Sequence, residues 1–198
     1  MLDQLTVLIL AGGMGSRLGG QDKGLLNLGG QSLTERIIHA VSEQVQTVLI
    51  SANRNLEYYR SLGVNVVSDR LVDYQGPLAG IEAGLAACKT PYMAILPCDA
   101  PFVDSKLLAD LYFCFCEAQV DLAYAISSVE EGRWQAEPTF AVMRCHVLPS
   151  LGKYLDLGGR KILPWYHQLR YAEVRISDSQ VFSNANTPED LKNFQLTL

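Results

Sequence analysis

The sequence predicts an α/β fold in which a mostly parallel central sheet carries helices on both faces. Apolar runs of strand length alternate with amphipathic segments of helix length, which is the pattern of βαβ units. Residues 7–10 and 93–96 contain no polar side chain, as is typical of central strands covered on both faces. Parallel strands also require right-handed crossover connections.

The first half of the chain supplies three strands, each followed by a helix. Strands are expected where apolar and β-branched residues cluster, at residues 6–10, 47–51 and 64–68. Helices are expected where apolar residues recur with helical spacing, at about residues 32–44, 56–62 and 78–88.

The second half continues the alternation and then departs from it. A strand at residues 92–96 precedes a helix at 104–118, which opens with the capping residue Asp104, and a strand follows around 122–125. From about residue 130 to 165, glycines and prolines interrupt the pattern. We expect this segment to lie outside the regular alternation and to shape a second substrate pocket. Because no repeat or linker is evident, one domain spanning residues 1–198 is expected.

Composition excludes several classes of protein. With 48% hydrophobic and 19% charged residues, the chain is expected to be globular and ordered. Its net charge of −5 offers no long-range attraction for nucleic acid or an anionic membrane. No apolar stretch approaches the roughly 18 residues of a membrane span, and the N-terminus lacks an export signal. The five cysteines form no C-x-x-C pair, so a reducing cytoplasm is the expected location.

The glycine-dense loop that follows the first strand predicts a phosphate site. Its five glycines are Gly12, Gly13, Gly15, Gly19 and Gly20. Glycines allow successive backbone N–H groups to converge on one anion, and Lys23 would add a positive charge for a polyphosphate. The alternative, a glycine-rich turn without a ligand, would lose conformational entropy on folding with nothing to offset it.

Two well-known phosphate loops do not fit this segment. A Walker A loop needs lysine directly after its last glycine, whereas Gln21 follows Gly20. The dinucleotide fingerprint begins correctly at Gly13 and Gly15 but has Leu18 where its third glycine belongs. A nicotinamide-dependent oxidoreductase is therefore a weak alternative.

Two aspartates stand where predicted strands end. Asp99 directly follows an apolar strand, where a desolvated carboxylate is costly unless it binds something. Mg²⁺ is the expected partner, since it is often held by one or two carboxylates completed by substrate phosphates. The alternative role for Asp99 is to cap the N-terminus of the helix predicted at 104–118, but Asp104 suits that position better. Asp69 follows another strand, and its residue type alone fits a turn and a ligand equally well.

Five segments of the chain together resemble the molybdenum cofactor guanylyltransferase family. They are LAGGMGSRLGGQDKG at 10–24, SD at 68–69, GPLAG at 76–80, PCDAP at 97–101 and NANTPEDL at 184–191. The opening motif is shared with many nucleotidyltransferases, whereas the G-G-x-D-K-G and N-x-N-T-P-E-D-L motifs are narrower. The resemblance runs from about residue 6 to residue 194.

The resemblance implies a Rossmann-like three-layer sandwich of the nucleotide-diphospho-sugar transferase type. It also implies transfer of GMP from GTP to molybdopterin with release of pyrophosphate, Mg²⁺ as cofactor, and room for transient contact with other cofactor-biosynthesis proteins or apo-molybdoenzymes. The matching nucleotide-binding positions are Leu10, Ala11, Gly12, Gly13, Lys23, Asp69 and Asp99. Lys23 and Asp99 would be catalytic, Asp99 would bind the metal, and Asn186 is a further candidate beside it. Some members have Asn where this chain has Ser51, so base recognition is expected to lean on loop backbone here.

Two alternative functions and the identity of the acceptor site stay open at the level of sequence. The first alternative is a related nucleotidyltransferase that uses CTP in place of GTP, or another phosphorylated acceptor. The second is a non-catalytic carrier that binds GTP and pterin without turnover. On the acceptor side, residues 135–143 resemble the family segment beside the pterin. Arg160 and Lys161 are candidates for the acceptor phosphate, although such a pair also fits a solvated turn.

Overall fold

The computed structural model describes residues 2–13, 20–70, 76–130 and 132–196. Its strands are β1 (Leu5–Leu10), β2 (Asn27–Leu28), β3 (Gln31–Ser32), β4 (Thr47–Ser51), β5 (Asn65–Val67), β6 (Tyr92–Pro97), β7 (Leu122–Glu130), β8 (Arg133–Arg144) and β9 (Tyr171–Ile176). Its α-helices are α1 (Leu33–Ser42), α2 (Leu56–Ser61), α3 (Pro77–Ala87), α4 (Ser105–Ala118), α5 (Leu148–Asp156), α6 (Ile162–Tyr166) and α7 (Pro188–Gln195). No helix within these ranges is both long and apolar enough to cross a membrane.

The main sheet is mixed, with a parallel half that carries the predicted βαβ units. Across the described residues the strand order is β5-β4-β1-β6-β8-β7-β9. Neighbouring strands are parallel from β5 to β6 and again between β7 and β9. Strand β8 runs antiparallel to both β6 and β7. The predicted α/β class with a mostly parallel sheet is confirmed, and the elements predicted up to residue 118 are found within two residues of their expected bounds.

The segment 130–165 departs from the βαβ alternation as expected, because β8 follows β7 directly and runs antiparallel to it. The strand itself, which covers residues 133–144 and lies inside the sheet, was not predicted. Pro138 is tolerated because the pairing with β7 shifts there: Tyr124 pairs with Ala141, but Ala125 pairs with Glu137. Proline is found in a sheet at such irregularities because it has no N–H to donate.

Each face of the sheet is covered by its own group of helices. Strand β1 illustrates the division, since Val7 and Ile9 pack toward α1, α2 and α4 while Leu8 packs toward α3, α5 and α6. All three side chains are fully buried. Both faces are therefore apolar, as the absence of polar residues in this strand predicts.

Gly84 in α3 gives a test of packing between this helix and the sheet. A Cβ at Gly84 would lie 2.4 Å from Cδ2 of the fully buried Leu8. Gly84→Ala is therefore expected to lower the free energy of unfolding by about 1–3 kcal/mol, as overpacked cores do. The matched control is Gly152→Ala in α5, where the nearest atom would be 3.6 Å away. There the gain in helix propensity should stabilise the protein by up to about 1 kcal/mol. Urea unfolding of both variants tests the prediction, and an unaffected Gly84→Ala variant would contradict it.

Candidate active site

A cavity of about 430 Å³ opens at the carboxyl edge of the parallel strands. Its lining includes all seven predicted nucleotide-binding residues, which are Leu10, Ala11, Gly12, Gly13, Lys23, Asp69 and Asp99. Ligands of open α/β sheets bind at this edge. The structure thus brings together positions that lie up to 89 residues apart in sequence.

Strand register explains this convergence. Leu10 pairs with Ser51 of β4 on one side and with Pro97 of β6 on the other, and Ser51 pairs with Val67 of β5. These four residues form one row across the sheet. Two positions beyond the row on each strand come Gly12, Asn53, Asp69 and Asp99. Side chains that follow parallel strands in register necessarily lie beside one another.

The start of the glycine loop is held by backbone hydrogen bonds. Ala11 N–H donates to the carbonyl of Ser51 at 2.8 Å, and Cys98 N–H donates to the carbonyl of Leu10 at 3.1 Å. A Cβ on Gly12 would lie 3.4 Å from Nδ2 of Asn53, so the chain passes close to that amide. Gly15 and Gly19 of the predicted phosphate loop lie outside the described residues.

Asp22 anchors the turn that carries Lys23. Asp22 is buried, and its Oδ1 accepts from the Tyr59 hydroxyl at 2.7 Å and from Gly24 N–H at 3.2 Å. Its Oδ2 accepts from Asn55 Nδ2 at 2.9 Å. A side chain on Gly24 would place a Cβ 2.4 Å from the Tyr59 oxygen. The D-K-G motif therefore combines a fixed carboxylate, a directed lysine and a glycine with no room for a Cβ. Asp22 was not among the predicted site residues, although the narrow motif that contains it was noted.

Lys23 is bonded to an oxygen of the cavity-lining Asp99 and to an oxygen of the nearby Asn186. Its Nζ donates to Asp99 Oδ2 at 2.6 Å and to Asn186 Oδ1 at 2.5 Å. The carboxylate and the amide oxygen thus converge on one cation. This geometry places the predicted catalytic pair and the candidate Asn186 within direct contact of each other.

The N-x-N-T-P-E-D-L motif is explained by a turn that delivers Asn186. Ala185 N–H donates to the carbonyl of Asp99 at 2.8 Å, which ties this turn to the end of β6. Thr187 and Asp190 form a capping box at the start of α7, and Asp190 Oδ2 also accepts from Asn186 N–H at 2.9 Å. Asn184 lines the cavity, and its buried Oδ1 accepts no hydrogen bond within the described structure.

Asp69 is held by Asn53 on the opposite side of the cavity. Asn53 Nδ2 donates to Asp69 Oδ2 at 2.8 Å, and Asn53 Oδ1 accepts from Asp69 N–H at 3.0 Å. The second carboxylate oxygen, Oδ1, is buried and accepts no hydrogen bond of standard geometry among the described residues. Burial raises the pKa of the Asp69 carboxyl, and the interactions with the side chains of Asn53 and, less strongly, Ser51 oppose that shift. An unsatisfied, desolvated acceptor in a cavity suits a ligand that donates a hydrogen bond.

The raised pKa predicts that Asp69→Asn stabilises the protein at pH 7. The folded protein disfavours the ionised carboxylate, so wild type loses stability as pH rises through the raised pKa, whereas the amide does not titrate. The difference in melting temperature between variant and wild type should be positive at pH 7. It should shrink as pH falls from the raised pKa towards 3.8, the ordinary value for aspartate, and stay constant below that. Thermal melts across this range test the prediction, and a variant that melts lower than wild type at pH 7 would contradict it.

The residues predicted to contact the acceptor, segment 135–143 and the pair Arg160 and Lys161, lie at different distances from the cavity. Thr139, within the segment 135–143, lines the cavity close to the shifted pairing of β7 and β8. Arg160 instead donates to the carbonyls of Leu155 at 2.9 Å and Gly159 at 2.7 Å, which places its guanidinium at the end of α5. Among the described residues, neither Arg160 nor Lys161 belongs to the cavity lining. The backbone carbonyl of Arg160 nevertheless lies beside the lining residue Gly76, where a Cβ would be 3.9 Å from it, so the role of this pair toward the acceptor phosphate stays a prediction.

The donor set limits which metals fit. In the described ranges, no cluster of three or more His, Cys, Asp or Glu side chains could hold a metal ion. One carboxylate and one amide oxygen converge at the Lys23 ammonium instead. Such hard oxygen donors suit Mg²⁺, which keeps several waters and takes further ligands from substrate phosphates.

Comparison with known sequences identifies relatives over nearly the full chain. A family model described as the MobA-like NTP transferase domain matches residues 7–171. The molybdenum cofactor guanylyltransferase of Cupriavidus necator is 44% identical over 193 residues, which cover 98% of this chain and 97% of that relative. The protein of the same name from Polynucleobacter asymbioticus is 42% identical over 196 residues, which cover 99% and 98%.

Comparison with solved structures confirms the fold. Molybdopterin-guanine dinucleotide biosynthesis protein A from Archaeoglobus fulgidus superposes with a TM-score of 0.77 at 24% identity, covering 97% of each chain. A 4-diphosphocytidyl-2C-methyl-D-erythritol synthase from Anaerococcus prevotii gives a TM-score of 0.79 at 11% identity, covering 98% of this chain and 96% of that one. The predicted Rossmann-like, nucleotidyltransferase-type sandwich is thus the observed architecture.

Proposed function

This chain belongs to the MobA-like NTP transferase family, and we propose that its cavity binds GTP together with Mg²⁺ at Asp99. The chain transfers GMP from GTP to molybdopterin, as its nearly full-length similarity to molybdenum cofactor guanylyltransferases indicates. The products are the guanine dinucleotide form of the cofactor and pyrophosphate. The observation that carries the proposed site is the convergence of Lys23, Asp99 and Asn186 beside Gly12 and Gly13.

The reaction needs charge neutralisation more than proton transfer. An oxygen of the acceptor phosphate attacks the α-phosphorus of GTP, a new P–O bond forms, and the bond to the β-phosphate oxygen breaks. At neutral pH the acceptor phosphate is largely ionised, since its second pKa is about 6, so no general base is required. Two anions must approach each other, and positioning with electrostatic stabilisation therefore supplies most of the catalysis.

Lys23 supplies the protein's own positive charge at this point. Its side chain is held by hydrogen bonds to Asp99 and Asn186 on one side of the cavity, and the turn beneath it is fixed by buried Asp22. In the proposed complex, its ammonium contacts the phosphates of GTP. If the oxygens of Asp99 and Asn186 hold Mg²⁺, the ammonium would turn from them to the phosphates, while the turn that carries Lys23 stays fixed by Asp22.

Asp99 and Asn186 would hold the magnesium ion. Their oxygens already converge on a cation, the Lys23 ammonium, so the site accommodates positive charge. When bound, Mg²⁺ acts as a Lewis acid that draws negative charge from the phosphate oxygens.

Asp69 is proposed to contact the nucleoside part of GTP. Its unsatisfied Oδ1 can accept a hydrogen bond from a hydroxyl or an N–H donor. Ser51, which lines the same cavity, is buried against Gly80, where a Cβ would lie 2.5 Å from its Oγ. The side chain of Ser51 thus has little freedom to move, in keeping with base recognition that leans on backbone groups.

A reconstituted reaction tests the proposed function. Purified protein is mixed with molybdopterin, Mg²⁺ and one nucleoside triphosphate at a time, and pyrophosphate and dinucleotide product are quantified. Equal amounts of both with GTP, and loss of both with EDTA, are expected. Turnover with CTP in place of GTP would reject the proposed nucleotide. Nucleotide binding without pyrophosphate release would instead indicate a non-catalytic carrier.

A further inference from the structure

Arg54 contacts the backbone on both sides of the glycine loop. It lies in the turn that follows β4 and is not among the cavity-lining residues. Its Nη2 donates to the carbonyl of Gly13 at 3.0 Å, just before residues 14–19. Its Nη1 donates to the carbonyl of Gly20 at 2.6 Å, and Nη2 also donates to Gln21 at 3.1 Å, just after them. One guanidinium thus joins the two flanks of the loop.

The charge of this guanidinium is balanced by a carboxylate that is itself fixed. Arg54 Nε lies 3.7 Å from Asp22 Oδ2, an ion-pair distance without a hydrogen bond. The Asp22 side chain is only 3% exposed and is held by Tyr59, Asn55 and Gly24. The side chain of Arg54 is 25% exposed, and its hydrogen bonds to the loop flanks lie at the surface. Because the donor is charged, these bonds are stronger than bonds between neutral groups.

These contacts connect the two parts of the proposed phosphate site. The backbone of Gly13 lines the cavity, and Gln21 stands two residues before Lys23. Without the guanidinium, its three hydrogen bonds to the two flanks would be lost, whereas the bond from Asn55 to Asp22 would remain. The described side-chain link between Gly13 and the turn before Lys23 would then be gone, although the backbone bond from Ala11 to β4 would still hold the start of the loop. Ordering a mobile segment costs conformational entropy when the ligand binds, and a site that is already held in its productive geometry avoids that cost.

We infer that Arg54 is a positioning residue that joins both flanks of the glycine loop and so sets the affinity of the site for the triphosphate of GTP. The inference rests on the proposed function, since it assumes that this loop binds phosphate. Lysine cannot replace arginine here, because a single ammonium lacks the planar fork that donates to several carbonyls at once. The contribution is expected to be larger for the phosphates than for the nucleoside, because Arg54 holds Gly13 and the turn before Lys23 and makes no hydrogen bond to Asp69 in the described structure.

The test compares GTP with guanosine in two variants. Dissociation constants for both ligands are measured with wild type, Arg54→Ala and Arg54→Lys. We expect the GTP constant to rise about tenfold or more in both variants, because misplacement of binding groups by an ångström has effects of this size. The guanosine constant should rise clearly less than the GTP constant. The matched control is Arg60→Ala, an exposed arginine of α2, which should bind both ligands like wild type.

Chemical rescue adds a readout that a merely structural role would not move. Millimolar ethylguanidinium should partly restore GTP affinity to Arg54→Ala and should leave Arg54→Lys unchanged. If wild type binds GTP and Arg54→Ala binds it equally well, the inference is overturned while the proposed function stands. Equal losses for GTP and guanosine in Arg54→Lys would also overturn it. If wild type itself binds no GTP, the proposed function fails and the inference fails with it.

Discussion

Asp99→Ala is expected to abolish GMP transfer while leaving the fold intact. The substitution removes the carboxylate that is proposed to hold Mg²⁺ and that holds Lys23 at 2.6 Å. Loss of a Lewis acid worth several kcal/mol corresponds to a fall in kcat of about 10³-fold or more. Initial rates of pyrophosphate release at saturating GTP measure the effect, and circular dichroism verifies the fold.

The control for this prediction is Asp104→Ala, five residues further along. Asp104 caps α4 by accepting from Leu107 N–H at 2.8 Å, and it does not line the cavity. Its replacement should cost about 1 kcal/mol of stability, as lost helix caps do, with kcat preserved. Undiminished turnover in Asp99→Ala would contradict the proposed metal role.

Lys23→Met is expected to have the second-largest effect. Methionine retains much of the apolar stem of lysine but removes its charge, so both GTP binding and the chemical step lose electrostatic stabilisation. By analogy with the removal of one charge-stabilising donor, kcat/KM should fall about 10²–10³-fold. The KM for GTP should rise as well, because the phosphates are charged in the ground state. Steady-state kinetics with varied GTP separate these two contributions.

Lys106→Met is the matched control for Lys23→Met. Lys106 is an exposed lysine of α4 that pairs with Asp110 on the same helix. Surface ion pairs of this kind contribute about 0–1 kcal/mol to stability. The kinetic constants of this variant should equal those of wild type. If Lys23→Met shared them, the charge of Lys23 would have no role in the reaction.

Strand composition and strand ends are the features that sequence predicts best here. Residues 7–10 and 93–96 lack polar residues because both faces of β1 and β6 are buried. Parallel strands in register place whatever follows them at one edge, so the sequence predicts one site for the glycine loop and Asp99. Asp69 follows a strand too, but its assignment to this site depends on the family resemblance.

Contacts between distant side chains are what sequence predicts least. The roles of Asp22, Asn53 and Arg54 depend on bonds made across tens of residues, and their residue types also fit turns and solvated surface. Strand β8 was missed because Pro138 normally interrupts a strand, and its tolerance depends on the shifted pairing with β7. Each of these features depends on tertiary partners, which local sequence does not specify.

Titration calorimetry of Mg·GTP into the purified protein tests the central claim most directly. The proposed site predicts saturable heat at one GTP per chain in the presence of Mg²⁺, and strongly weakened binding when Lys23 is replaced by methionine. Absence of heat with Mg·GTP and with every other magnesium nucleoside triphosphate would contradict a triphosphate site between the glycine loop, Lys23 and Asp99.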